Sequence, residues 1–312
     1  MNRYPSYLNL LDSGEIDKRI EALYEKLSSC TLCPNECKVN RLEGEKGICR
    51  ITNKPMVSSY GPHFGEERPL VGKNGSGAIF FTYCNLACVY CQNWEISHLG
   101  EGDIIDEEDL AKIMLILQVW GCHNINLVTP THQVPFIVKA IKIAAEKGLN
   151  LPIVYNCGGY ESVETLKLLD GIIDIYMPDI KYMDDQIALK LSKVKNYSKI
   201  VKAAVKEMHR QVGDLVIEDG IAKRGLIIRH LVLPGDLSQT EEVIKFIAEE
   251  ISVHTYFNLM DQYRPCGDAW KYPPLDRKIT KEEWDRALRL AYKYGLTRLD
   301  DRRARFWDYW EV

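Results

Sequence analysis

Apolar residues recur along this chain at two periods, and the change from one to the other divides it. Ile16, Ile20, Leu23, Tyr24 and Leu27 fall at helical spacing and predict a helix over residues 14–27, with Ser13 as its cap. Residues 30–49 lose that periodicity in a knot of Cys, Gly, Pro and charge, and Gly61, Pro62, Gly65, Pro69, Gly72, Gly75 and Gly77 then read as loop. From Ala78 onward short apolar runs alternate with amphipathic stretches. Strands are predicted over 78–82, 124–128, 153–156, 172–177, 226–233 and 255–260. Between them lie helices over 106–120, 134–147, 163–169, 185–194, 198–212 and 240–250. Asp106 and Ser162 are placed to cap, Gly148 and Gly213 to stop. Glu218-Asp219-Gly220 reads as a hairpin turn. A last helix over 281–294 carries a capping box, Thr280 with Glu283, and stops at Gly295. The charged and aromatic tail 297–312 reads as a strap packed on the exterior.

Six strands with helical connections predict an α/β fold with a parallel sheet and helices outside it. Crossovers of one hand would curl these units into a partial (β/α)6, TIM-like barrel. The chain then divides into a helix, Cys-rich segment and glycine-rich loop (1–77), the barrel (78–265), and a C-terminal helix with its tail (266–312).

Composition narrows the options further. The 312 residues are 46% apolar and 27% charged, a globular balance, and 40 basic against 44 acidic residues leave a net charge of −4. Such a balance invites neither nucleic acid nor an anionic membrane surface. The longest stretch without charge, residues 74–94, is broken by Gly, Ser, Thr, Asn, Gln and Cys, so no spanning helix is expected. Asp12, Glu15 and Asp17 interrupt any signal-peptide core, and the expected location is the cytoplasm. Yet the chain has ten cysteines, seven of them in two tight groups, a distribution that suggests metal rather than disulfides.

The sharper group is Cys84, Cys88 and Cys91, spaced C-x3-C-x2-C on the loop that follows the first predicted barrel strand. Active sites of parallel α/β folds lie at that end of the strands. Three thiolates on one loop can hold three irons of a [4Fe–4S] cube, leaving the fourth iron open to a reactant. The alternative is a zinc site completed by His98 or His63.

This motif, with Tyr90 before its last cysteine, resembles that of the radical SAM superfamily. The similarity extends from the N-terminal cysteines through Gly75-Ser76-Gly77, Gln92-Asn93 and Ile96-Ser97 to Asp261-Gln262-Tyr263-Arg264-Pro265, and this extended pattern resembles the pyruvate formate-lyase activating enzyme-like branch, in its uncharacterised subgroup. The resemblance implies a barrel of radical SAM type. It also implies a [4Fe–4S] cluster on Cys84, Cys88 and Cys91 that binds S-adenosylmethionine and cleaves it to a 5′-deoxyadenosyl radical for hydrogen abstraction. Tyr90 would lie beside the adenine. Asp179 and Lys181 match the family's D-x-K, and Arg229 opens an R-x-x-x-x-P-G stretch; both are implied to face the amino-acid end of the cosubstrate. Where activases carry Gly-Gly-Glu this chain has Val128-Thr129-Pro130-Thr131-His132, so Thr129, Thr131 or His132 would supply the hydrogen bonds. Asn156, at the end of the next strand, joins the same set, followed by Gly158-Gly159. Implied partners are an electron donor such as flavodoxin or ferredoxin and a glycyl radical enzyme to be activated. Radical modification of another protein or metabolite, or a non-catalytic Fe–S carrier or redox sensor, are the alternatives.

Cys30, Cys33, Cys37 and Cys49 form the second group, C-x2-C-x3-C-x11-C, enough to close a zinc site or a fully ligated Fe–S cluster. Cys266 is a weak catalytic candidate beyond the sixth strand, Cys122 reads as core, and His132 is the best-placed histidine for a pocket. Glu66, Glu67 and Arg68 form a charge run for which solvation is the first expectation and a loop covering the barrel mouth the alternative.

Overall fold

The computed structural model describes residues 3–300; the rest of the predicted strap, 301–312, lies outside the described residues. In chain order the elements are α1 (Tyr7–Ser13), α2 (Glu15–Glu25), β1 (Met56–His63), α3 (Arg68–Val71), β2 (Ser76–Phe81), β3 (Asp103–Ile104), α4 (Glu107–Val119), β4 (Ile125–Val128), α5 (Val134–Glu146), β5 (Ile153–Cys157), α6 (Val163–Leu168), β6 (Ile175–Pro178), α7 (Asp185–Ser192), α8 (Tyr197–Val212), β7 (Val216–Glu218), β8 (Ile221–Leu231), α9 (Thr240–Phe246), β9 (Tyr256–Met260) and α10 (Lys281–Lys293). Strands β2, β4, β5, β6, β8 and β9 pair in parallel in that order, the six expected from the apolar runs. None of the described helices is long and apolar enough to cross a membrane.

Local chemistry explains most boundaries. Asp106 and Ser162 accept the backbone N–H three residues on, and Thr280 with Glu283 closes a full capping box. Asp219 and Gly220 both take positive φ, the geometry of a two-residue turn between β7 and β8. The first helix differs from expectation. The predicted helix is α2, but an unexpected helix, α1, precedes it; Gly14, at φ 71, separates the two, so Ser13 ends α1 instead of capping α2. The glycine-rich segment also differs, because β1 runs through Gly61 and Pro62 and pairs antiparallel with β2. Pro62 is tolerated because β3 covers only the Met56–Val57 end of β1, leaving the outer edge at Pro62 without a ladder partner.

The parallel sheet curls without closing. Beyond β9, Arg298 and Asp300 exchange backbone hydrogen bonds with Phe257 and cover that edge. Strand alternation sorts the side chains: Val154, Ile175, Met177 and Ile227 cluster on the inside with Leu70 of α3, while Tyr155, Tyr176 and Ile228 join the core under the helices. The segment after β1 therefore enters the barrel's lower interior. Glu67 is fully buried there and accepts a hydrogen bond from Asn258 Nδ2 of β9; Glu66, 6% exposed, lies 3.5 Å from Arg229 Nη1. The expectation of a solvated charge run is corrected for both acids, because each meets a polar partner inside the barrel.

Candidate active site

A cavity of about 450 Å³ opens at the carboxyl ends of the parallel strands. Cys84, Cys88 and Cys91 line it from the loop after β2, and Thr129, Asn156, Asp179, Lys181, Arg229 and Met260 line it from the ends of β4, β5, β6, β8 and β9. Every parallel strand thus delivers a side chain to one space, as the architecture favours.

The cysteine loop is held by its backbone. Tyr83 turns it at φ 64. The N–H groups of Ala87 and Val89 donate to Ser192 O and Leu191 O of α7, and Asp268 N–H donates to Val89 O. Leu86 packs so closely on Gly158 that a Cβ there would meet it at 2.6 Å. Gly159 takes φ 76, where a Cβ would meet Asp179 O at 2.4 Å, so the glycine pair serves loop packing and the turn. Each sulfur has a polar neighbour. Leu86 N–H donates to Cys84 at 3.3 Å, Ser97 Oγ donates to Cys91 at 3.1 Å, and Ser192 Oγ lies 2.9 Å from Cys88. A chain of hydroxyls continues from Ser192 through Tyr182 to Tyr90, whose ring stands edge-on to both Tyr182 and Tyr263. Ser97 entered the sequence pattern only as part of Ile96-Ser97, with no role, and Ser192 and Tyr182 escaped it, since an isolated Ser or Tyr near a helix end carries no motif.

Across the cavity Asp179 gathers two cations. Lys181 Nζ lies 2.7 Å from Oδ2 and Arg229 Nε 2.8 Å from Oδ1, while Arg229 Nη2 donates to Asn156 Oδ1 at 2.6 Å. Burial raises the Asp179 carboxyl, but Arg229 and then Lys181 outweigh it and hold the group at about 2. Lys181 and Arg229 are kept cationic by the same acid against the opposing effect of burial. Tyr197 Oη receives the Lys181 N–H and donates to Gly158 O, fixing the turn that presents the lysine.

Three expected residues stand elsewhere. His132 does not line the cavity: it is 1% exposed, its Nε2 is 2.8 Å from Thr82 O, and burial lowers its pKa to about 4. Its chain turns outward at the positive-φ Thr129. Thr131 likewise points away, donating to Glu161 at 2.6 Å. Cys266 lies in the turn after β9, outside the cavity lining. The zinc alternative finds its histidines engaged, His98 stacked on Trp94 at 3.7 Å and bonded to Ser97, His63 paired with Glu66 at 3.4 Å.

The donor set fits a three-cysteine [4Fe–4S] cluster: three sulfurs on one loop, each with a hydrogen-bonding neighbour, facing an acid and two cations. Cys157 also reaches the lining, but its thiol is bonded to Glu161. Among the described residues no three His, Cys, Asp or Glu side chains stand at ion-holding separation.

The N-terminal cysteines pack against the back of this loop. Cys30, Cys33 and Cys49 are buried and Cys37 is half-buried. Asn35 Nδ2 donates to Asn85 O at 2.7 Å; Arg50 stacks over the Tyr83 ring at 5.6 Å and donates to His98 O.

Comparison with known proteins agrees with this geometry. The family described as the Radical SAM superfamily matches residues 78–247. An uncharacterised protein of Methanocaldococcus jannaschii is 36% identical over 296 residues, covering 92% of this chain and 81% of its own. A second uncharacterised protein of that organism is 24% identical over 294 residues, 87% of this chain and 82% of its own. A radical SAM methyltransferase from Sphaerobacter thermophilus superposes with a TM-score of 0.50 at 13% identity, over 79% of this chain and 77% of its own; that likeness concerns the fold alone.

Proposed function

The chain belongs to the radical SAM superfamily, and from that premise we propose that it activates a glycyl radical enzyme through a [4Fe–4S] cluster held by Cys84, Cys88 and Cys91. When bound, the cluster supplies one electron to S-adenosylmethionine, giving methionine and a 5′-deoxyadenosyl radical that takes a hydrogen atom from a glycyl residue. The supporting observation is the placement of the three cysteines and the Asp179–Lys181–Arg229 set on one cavity. Lys181 and Arg229 offer positive charge to the methionyl carboxylate, Asp179 accepts from its ammonium group, and Thr129 and Asn156 supply polar walls. The backbone at Tyr90 flanks the adenine. Phe80, Leu231 and Met260 keep water from the reacting end. A ferredoxin or flavodoxin supplies the electron. Cys30, Cys33, Cys37 and Cys49 hold a second centre, zinc or Fe–S. Free cysteines throughout suit a cytoplasmic location.

Glu67 and Leu70 filling the lower barrel favour a second reading, in which the hydrogen donor is a small metabolite in the remaining cavity. The reconstituted, dithionite-reduced protein is expected to convert S-adenosylmethionine to 5′-deoxyadenosine, and Cys88→Ala to abolish this; a silent wild type with its cluster in place would overturn the catalytic reading. Incubation with glycyl radical enzymes, followed by electron paramagnetic resonance, tests the narrower one. Repeated absence of the radical doublet there, with cleavage intact, would favour the metabolite.

A further inference from the structure

Beside the N-terminal cysteines lies a positive charge with no acid to match it. Arg41 is 1% exposed. Its Nε donates to Thr52 O at 3.0 Å and its Nη1 to His132 O at 2.9 Å, with Nη1 also 3.9 Å from Cys30 Sγ. The guanidinium stands over the Phe136 ring at 5.6 Å, and Nη2 is buried without a hydrogen-bond partner. Among the described residues no carboxylate pairs with it. Arginine stays protonated at any pH at which proteins fold, so this is a full charge carried into the interior. Burying it is costly unless an anion is close by. The nearest groups able to become anions are sulfurs: Cys30, and Cys49 within the same field.

The hydrogen bonds say the same of the sulfurs. Cys30 faces the Arg41 guanidinium, Cys33 the N–H of Asn35, Cys37 the N–H of Ile48 at 3.4 Å, and Cys49 the N–H of Ile51. A neutral thiol can donate, whereas a thiolate only accepts. Four sulfurs that each face a donor have lone pairs placed to accept, which suits thiolates held on a metal that neutralises them.

We propose that Cys30, Cys33, Cys37 and Cys49 bind a thiophilic centre as four thiolates, and that Arg41 is its buried counter-charge. The first half rests on the metal reading given above; the ionised state and the role of Arg41 go beyond it. Four thiolates around Zn²⁺ carry 4 − 2 = 2 negative charges, as they do around a [4Fe–4S]²⁺ core, so either occupant gives Arg41 its anion. Arg41 is a positioning residue: it ties that charge to His132 O, on the segment that follows Thr129 of the cavity wall.

The test uses the full chain with Cys84, Cys88 and Cys91 all changed to Ala, so that the N-terminal group alone can hold metal. Purified anaerobically, it is expected to carry one zinc, or iron with matching acid-labile sulfide, per chain, and to lose it when Cys33→Ser and Cys49→Ser are added. Retention against a chelator is then measured for Arg41→Met and Arg41→Lys, with circular dichroism as the folding control. Arg41→Met is expected to weaken retention by about 10–100-fold, as outer contacts of metal sites do, and Arg41→Lys to recover most of it. A metal-free parent would overturn the centre itself. A loaded parent whose Arg41→Met form holds metal equally well would overturn only the role of Arg41. Arg41→Lys as weak as Arg41→Met would show that packing, not charge, is at work. If Arg41→Met does not fold, Arg41→Lys carries the test, and retention more than tenfold below the parent counts against the counter-charge.

Discussion

The two cysteine groups lie back to back, and they differ in number of sulfurs and in what those sulfurs face. Behind the loop, Cys30 and Cys49 lie in the apolar core, Cys30 beside the Arg41 guanidinium, and Cys33 and Cys37 sit on turns of the same knot. At the barrel mouth, three cysteines face a cavity with Asp179, Lys181 and Arg229 on its other side. A metal with all its positions filled by protein is closed to chemistry; one left a position short, opposite charged groups, is open to a reactant. On the proposed reading the same residue type serves two ends, and the surroundings select between them.

The largest expected effect comes from exchanging one deletion between the groups. Cys88→Ala should reduce 5′-deoxyadenosine formation to background with the folded state intact. Cys33→Ala should do the reverse, lowering the midpoint of thermal unfolding while residual cleavage per loaded loop cluster persists. If Cys33→Ala also abolished cleavage in protein still carrying its loop cluster, the division into open and closed centres would fail.

Next in size is the acid that organises the open side. Asp179→Asn leaves Lys181 and Arg229 buried with less negative charge between them, and should destabilise the fold by about 3 kcal/mol. The same carboxyl sets a pH dependence. Its folded pKa, about 2, lies below the ordinary carboxylate value of 3.8, so its contribution is full above 3.8 and is lost as pH falls through about 2. That difference corresponds to about 2 kcal/mol. Urea denaturation between pH 5 and 2 should show this slope in the parent and a reduced one in Asp179→Asn. Equal slopes would mean that the Arg229 and Lys181 contacts do not hold the acid ionised.

A smaller effect is expected at Ser192, whose hydroxyl sits beside Cys88. Ser192→Ala removes a hydrogen bond that favours the more negatively charged state of the sulfur. The loop cluster should become harder to reduce by roughly 30 mV, the equivalent of less than one hydrogen bond. A redox titration monitored by electron paramagnetic resonance reads this directly, and a potential shifted the other way would remove Ser192 from the environment of the centre.

The sequence carried these features unequally, for physical reasons. Both cysteine groups and the parallel strands were legible because their signals are local: sulfurs a few residues apart, and apolar runs of strand length. Asp179 and Lys181 share one turn, and Arg229 reaches them because β6 and β8 are neighbours. What escaped depends on distant partners. Glu66 and Glu67 resemble a solvated run until Arg229 and Asn258, 163 and 191 residues away in the chain, are brought against them. The strand through Gly61 and Pro62 was hidden because its residues read as loop, and only an edge position lets them pair. His132 looked like a pocket residue because it stands where activases carry Gly-Gly-Glu, but it is buried against Thr82 O, outside the cavity lining.

The smallest expected effect bears on the contact between the two regions. Arg50 follows Cys49, stacks on Tyr83 at 5.6 Å and donates to His98 O at 3.3 Å; Tyr83 precedes Cys84, and His98 follows the Ser97 that bonds Cys91. One side chain thus spans from the closed group to both ends of the open one. Arg50→Ala removes a partly exposed cation–π contact and a long hydrogen bond, so its cost in global stability should be about 1 kcal/mol. The more telling measurement is local. If the knot braces the loop through this residue, hydrogen exchange across residues 83–98 should quicken in Arg50→Ala, while exchange in β5 and β6 stays unchanged. Arg50→Lys, which keeps the charge but not the planar fork, should fall between the two. Unchanged exchange in the loop would mean that the two cysteine groups are mere neighbours, each held by its own turns.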